Sequence, residues 1–245
     1  MINEKSLIFP ILILNARPAA GKSEIIEFLK NIPDEERFKD FHIGKIKVID
    51  DFPFLWRWFE EDAILTKTGH PRLFTDEKGY FKYPYLWDLL IHMINLEYEK
   101  FIKNSINNHD YTIIIEFSRG KEHGGYQRAL PNLSSLILES GVLMYVDVSW
   151  EESLRKNRAR FNPSRPDSIL EHSLSEEKML KLYSGCDFHA ITLENKDYLT
   201  INSINLPYTV FNNWDDVTSG SIYELDKRLN STLDYLWNNY QTNNN

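Results

Sequence analysis

An apolar run from Leu7 to Asn15 flows without a break into Ala16-Arg17-Pro18-Ala19-Ala20-Gly21-Lys22-Ser23, and no other segment constrains the chain as tightly. The octet matches the pattern Gly-x-x-x-x-Gly-Lys-Ser/Thr in all but its first residue. That pattern works because a loop between a buried strand and a helix turns successive backbone N–H groups inward around a phosphate. The helix N-terminus adds its own unpaired donors and the positive end of its dipole. Lys22 then reaches the terminal phosphates as a flexible point charge, and the Ser23 hydroxyl helps to hold a bridging magnesium ion. Arg17, Pro18, Ala19, Ala20, Gly21, Lys22, Ser23 and Glu24 are the residues expected around the nucleotide phosphates. Ala16 fits only if its backbone keeps a negative φ, since glycine alone visits positive φ freely.

Bulk properties narrow the classes open to such a loop. The length of 245 residues predicts a single α/β domain. A formal charge of −8, from 28 basic against 36 acidic residues, argues against a nucleic-acid backbone as main partner. Cys186 is the only cysteine, so no intramolecular disulfide can form. The first apolar segment, about ten residues, is too short to span a bilayer. It lacks a cleavage signature too, so no membrane partner and a cytoplasmic location are expected.

Four further short apolar runs read as buried strands: Lys45 to Ile49, Tyr111 to Ile115, Val142 to Val146 and Tyr208 to Phe211. Helical patterns fill the intervals at about 23–32, 84–104, 126–139, 150–160, 175–184 and 220–239. Such alternation predicts a mainly parallel sheet covered on both faces, with ligands at the carboxyl ends of its strands. The stretch 60–83, with Gly69-His70-Pro71 and Lys78-Gly79-Tyr80, reads as a loop or hairpin within an acceptor-side insertion at about 52–83.

Two strand ends carry acids where that crevice should lie. The second strand runs into Asp50-Asp51 and the third into Glu116-Phe117-Ser118-Arg119. Either aspartate could accept a proton from an acceptor hydroxyl, and Glu116 could hold magnesium through water. Neighbouring side chains on an extended segment point oppositely, so one aspartate faces the site, with Asp51 slightly favoured over Asp50. After the fourth strand, Arg155 and Arg158 share a helix face, while Arg160 and Arg165 fall where that helix gives way to a turn. Arginine suits a phosphate through its planar fork, so 155–173 reads as a lid that closes over the nucleotide and excludes water. Trp56 and its aromatic neighbours could stack a flat acceptor or could equally pack a core. Asn213 and Trp214, after the fifth strand, are placed to border the nucleotide base.

Taken together, the chain resembles the deoxyribonucleoside kinases within the nucleoside and nucleotide kinase branch of the phosphate-loop proteins. The resemblance rests on Ala19-Ala20-Gly21-Lys22-Ser23 before the first helix, and on the layout of the strand-end acids and the arginine-bearing helix. It implies a three-layer α/β/α P-loop NTPase fold with a five-stranded parallel sheet of order 2-3-1-4-5, ATP and magnesium as co-substrates, and a small hydroxyl-bearing acceptor contacted by Asp51, Trp56 and Arg119. Members of that family keep glycine at the position of Ala16 and place an arginine immediately after the acid of strand three, whereas Arg119 follows Glu116 by three residues. The function expected is an ATP-dependent kinase acting on a nucleoside or nucleotide, with a homodimer as an assembly to test. The alternative is a regulatory ATPase or GTPase switch, although the guanine-reading Asn-Lys-x-Asp element is absent.

Overall fold

The computed structural model describes residues 7–105, 108–160 and 174–243. Along the chain come β1 (Ile11–Ala16), α1 (Lys22–Asn31), α2 (Asp34–Phe41), β2 (Lys45–Asp50), α3 (Phe52–Lys67) and α4 (Tyr85–Asn104). Next are β3 (Tyr111–Phe117), α5 (Gly125–Ala129), α6 (Ser135–Ser140), β4 (Gly141–Asp147), α7 (Trp150–Arg160) and α8 (Glu176–Tyr183). The chain closes with α9 (Phe188–Ile191), β5 (Tyr198–Ile201), β6 (Ile204–Asn212) and α10 (Ile222–Asn243).

The sheet order is β2-β3-β1-β4-β6-β5. β1 is central, paired in parallel with β3 and β4, and period-two alternation sends its side chains to two cores. Ile11 and Ile13 join Ile91 and Ile94 of α4, Tyr126 of α5 and Phe188 of α9 on one face. Leu12, Leu14 and Ala16 meet Ile25 and Leu29 of α1 and the buried leucines 225, 229, 233 and 236 of α10 on the other. Each such leucine contributes about 1.5–3 kcal/mol of burial, which fixes α1, and hence the loop before it, against the sheet.

Three expectations need correction. The sheet has six strands and is mixed, where five parallel strands in the order 2-3-1-4-5 were predicted; the extra strand, β5, pairs antiparallel with β6 at the edge. Its hairpin turns on Asn202 and Ser203, with φ of 50° and 67°. That is the positive-φ pair such a tight turn requires, built here without the glycine that usually announces it. The predicted helix 126–139 is split into α5 and α6, with Pro131 in the 3-10 turn Leu130–Asn132 between them. The first part of 60–83 is helical, because α3 continues to Lys67 with Pro53 in its first turn. Beyond it, the wholly buried Asp62 carboxylate accepts the N–H groups of Leu73, Phe74 and Thr75 and folds the following segment back onto α3. Of the lid span 155–173, residues 155–160 are the end of α7; residues 161–173, with Arg165, lie outside the described residues.

Candidate active site

β1 delivers the loop at the carboxyl edge of the sheet. Ala16 is still a ladder residue, opposite Val146, and as expected is not among the residues at positive φ; the left-handed positions are Ala19 at 56° and Gly21 at 109°. Side chains from three distant elements hold the loop's carbonyls. Tyr126 Oη donates to Ala16 O at 2.8 Å, Ser153 Oγ to Pro18 O at 2.7 Å and Asn213 Nδ2 to Ala20 O at 2.9 Å. With those carbonyls engaged by side chains, the N–H groups of Ala19, Ala20 and Gly21 have no acceptor among the described residues, and α1 begins without a side-chain cap. Buried, unpaired amides at a helix start form the concave donor set that binds an anion, so a nucleotide phosphate fits here.

Gly21 is needed twice over. A Cβ there would stand 2.5 Å from Thr218 Oγ1 and 2.9 Å from Asn213 Nδ2, in a backbone conformation unfavourable to any other residue. Gly21→Ala is therefore expected to destabilise the fold by about 2–3 kcal/mol in denaturant unfolding and to weaken nucleotide binding.

Lys22 is 7% exposed, and its Nζ donates to Ser118 Oγ at 2.8 Å and lies 3.6 Å from Glu116 Oε1. Ser23 is exposed in the first turn of α1. Glu24 faces Lys156 at 3.5 Å and Arg160 at 3.9 Å. No group of three or more His, Cys, Asp or Glu side chains among the described residues could hold a metal by itself. Magnesium bound through Ser23 and Glu116 would depend on phosphate oxygens and water, which is its usual habit beside a nucleotide.

The structure separates the two aspartates. Asp51, 6% exposed, accepts an ion-paired hydrogen bond from Arg119 Nη1 at 2.6 Å. Arg119 also donates from Nη2 to Trp87 O at 3.2 Å, and its guanidinium lies 5.3 Å from the Trp87 ring. That ring stacks on His123 at 3.7 Å. Burial, and then the charge of Arg119, lowers the His123 pKa to about 3, so the imidazole is neutral. Asp50 stands in register with Glu116 across β2 and β3 and accepts Phe52 N–H at 2.9 Å. Burial first, then the neighbouring charges of Glu116 and Asp51, raises its pKa to about 7.

This shift gives stability a pH signature. The folded state holds the Asp50 proton more tightly than the unfolded chain does. The stabilisation is complete below the ordinary carboxylate range near 3.8 and is lost as pH rises through about 7. An asparagine side chain in place of Asp50 keeps an acceptor for Phe52 N–H and carries no charge. Asp50→Asn should therefore leave stability near pH 4 little changed and raise it at pH 8 by on the order of 2–4 kcal/mol, read by urea unfolding at both pH values.

The remaining candidates are placed as follows. Arg155 pairs with Glu152 at 2.6 Å and Asp216 at 2.9 Å, and Arg158 pairs with Glu176 at 2.6 Å. Arg17 donates to Tyr183 O at 2.5 Å and Ser184 O at 3.0 Å, which ties the loop to the end of α8. Asn213 is fully buried beneath the loop, whereas Trp214 is 61% exposed with Nε1 donating to Asp147 Oδ2 at 2.9 Å. Trp56 is half-buried and meets Phe52 at 5.9 Å, while Trp58 with Phe54, Phe74, Phe81 and Trp87 forms a small core. Tyr126, Ser153 and Lys156 escaped sequence reasoning. Lys156, 7% exposed, joins α7 to Asp216 at 2.7 Å, Ser219 at 3.1 Å and Thr218 at 3.2 Å, and only the proximity of a lysine to Arg155 and Arg158 hinted at it.

No protein-family model matches the chain, and no curated protein matches it. Among solved structures it is similar to an unliganded sugar kinase from Janibacter sp., with 14% identity and a TM-score of 0.41 over 92% of this chain and 94% of that one. It is also similar to the tunicamycin resistance protein of Deinococcus radiodurans, with 9% identity and a TM-score of 0.39 over 91% of this chain and 94% of that one.

Proposed function

We propose that the protein is a magnesium- and ATP-dependent phosphotransferase that moves the γ-phosphoryl group to a hydroxyl of a small metabolite, with nucleosides and nucleotides the first acceptor class to test. The observation that carries this reading is the anchored loop: three carbonyls held by side chains, amides left without a partner among the described residues, and Lys22 at the first turn of the helix. Ser23 and Glu116 are the residues that would hold magnesium, which when bound would supply positive charge to the phosphates.

The chain's own groups supply the rest. Lys22 exchanges Ser118 and Glu116 for phosphate oxygens and stabilises charge as it develops on the transferring group. Asp50 suits the base, since its raised pKa places proton acceptance near neutral pH. Asp51, engaged by Arg119, suits acceptor positioning. Arg160, the loosely held arginine of α7 at 3.9 Å from Glu24, suits a phosphate contact, while Arg155 and Arg158 would first have to leave their carboxylate partners.

The test is ADP formation from magnesium-ATP with and without a panel of nucleosides, nucleotides, sugars and amino alcohols. Strong stimulation by one compound supports the kinase; hydrolysis indifferent to every compound contradicts it.

A further inference from the structure

Among the described residues, Tyr126 is the one hydroxyl bonded to both halves of the candidate site. Its Oη donates to Ala16 O, where the phosphate loop begins, and accepts the backbone N–H of Arg119 at 3.4 Å. Arg119 in turn holds Asp51 and lies over Trp87. The tyrosine is completely buried, its ring set edge-on against Tyr145 and Phe188. Its backbone is held as firmly, because the Asp187 carboxylate accepts the N–H groups of Tyr126 and Gln127, each at 2.9 Å. Gly125 makes that approach feasible, since a Cβ there would collide with the Asp187 carboxylate. Burial raises the phenol pKa well above its ordinary value, so the hydroxyl keeps the proton that it donates.

A structural tyrosine needs one partner for its hydroxyl. This one spans residues 16 and 119, which lead into the loop expected to hold the donor phosphates and the arginine on the acceptor side. In-line transfer depends on the separation of donor and acceptor, and a misplacement of about 1 Å costs on the order of a hundredfold in rate. We infer that Tyr126 is a positioning residue: its hydroxyl ties the phosphate loop to Arg119, so that filling the loop with nucleotide is felt at the acceptor-side cluster of Arg119, Trp87 and His123. This rests on the kinase reading and adds a coupling which that reading does not require.

The experiment uses the full chain, the magnesium complex of the non-hydrolysable ATP analogue AMP-PNP as probe, and the 15N imidazole resonances of His123 as readout. The resonances are assigned by their loss in His123→Gln. His123 suits the purpose because its buried Nε2 has no hydrogen-bond partner among the described residues and its ring stacks on Trp87. In the wild type, saturating probe is expected to shift the His123 resonances. In Tyr126→Phe, which removes one oxygen, calorimetry should find the probe bound within about tenfold of wild-type affinity, since a single hydrogen bond to the loop is lost. The His123 shift should fall by more than about half. An unchanged His123 response in Tyr126→Phe overturns the coupling. If that variant fails to fold, the wild type decides alone: probe bound with no change at His123 also overturns it. Failure of the wild type to bind the probe overturns the phosphate-loop reading instead, and this inference with it.

Discussion

Lys22→Ala is expected to lower phosphoryl transfer by at least about a thousandfold while leaving the protein folded. Among the described residues, the lysine is the only cation in contact with both the acid and the serine at the end of β3, through Glu116 at 3.6 Å and Ser118 at 2.8 Å. On the proposed function those contacts give way to phosphate oxygens, so the substitution would remove charge where charge accumulates in the transition state. The fold loses less. Glu116 keeps 14% of its side-chain surface in water and can be rehydrated, which limits the penalty to about 1–2 kcal/mol. Turnover measured beside a thermal melt separates the two effects, and a variant that melts normally yet retains a tenth of wild-type activity would remove Lys22 from the chemistry.

Arg119→Ala should have the largest effect on stability. Arg119 is 3% exposed and Asp51 6% exposed, so truncation strands a buried carboxylate without its partner. Breaking a buried pair in this way costs about 3–5 kcal/mol, more than the pair contributes relative to apolar residues. Lost stacking on Trp87 and the lost bond to Trp87 O act in the same direction. Asp51→Asn in the same chain should recover part of the deficit, since the stranded charge is then gone. A double-mutant cycle in urea measures that recovery. Additive losses would mean that Asp51 and Arg119 do not act as a pair.

What could be read in the sequence follows from range. The loop was legible because its chemistry is local: a buried strand, a Gly-Lys-Ser turn and an amphipathic helix are contiguous, and Ala16 keeps to the strand as its type demands. The strand-end acids were legible because parallel register brings the ends of β2 and β3 together. The different surroundings of Asp50 and Asp51 lie beyond alternation alone, because the contact that sets Asp51 apart comes from Arg119, 68 residues away. Tyr126 and Ser153 were invisible for the same reason, each bracing a carbonyl over 110 and 135 residues. Asn213 stands out in the sequence only by its place after the last parallel strand; its side chain bonds Ala20 O and Thr218, partners 193 and 5 residues away. The β5–β6 hairpin gives little sequence signal because Asn202-Ser203 makes a positive-φ turn without glycine, and α2 gives little because it buries only Arg37 and Phe41 and so lacks an apolar stripe.

The destination of the γ-phosphate tests the central claim most directly. ATP labelled at that position, incubated with magnesium, the full chain and the acceptor that most stimulates ADP release, should deliver its label to an acceptor hydroxyl in the wild type and to nothing in Lys22→Ala. Label recovered as inorganic phosphate at the same rate with and without acceptor, or transfer that survives the loss of Lys22, would contradict the account.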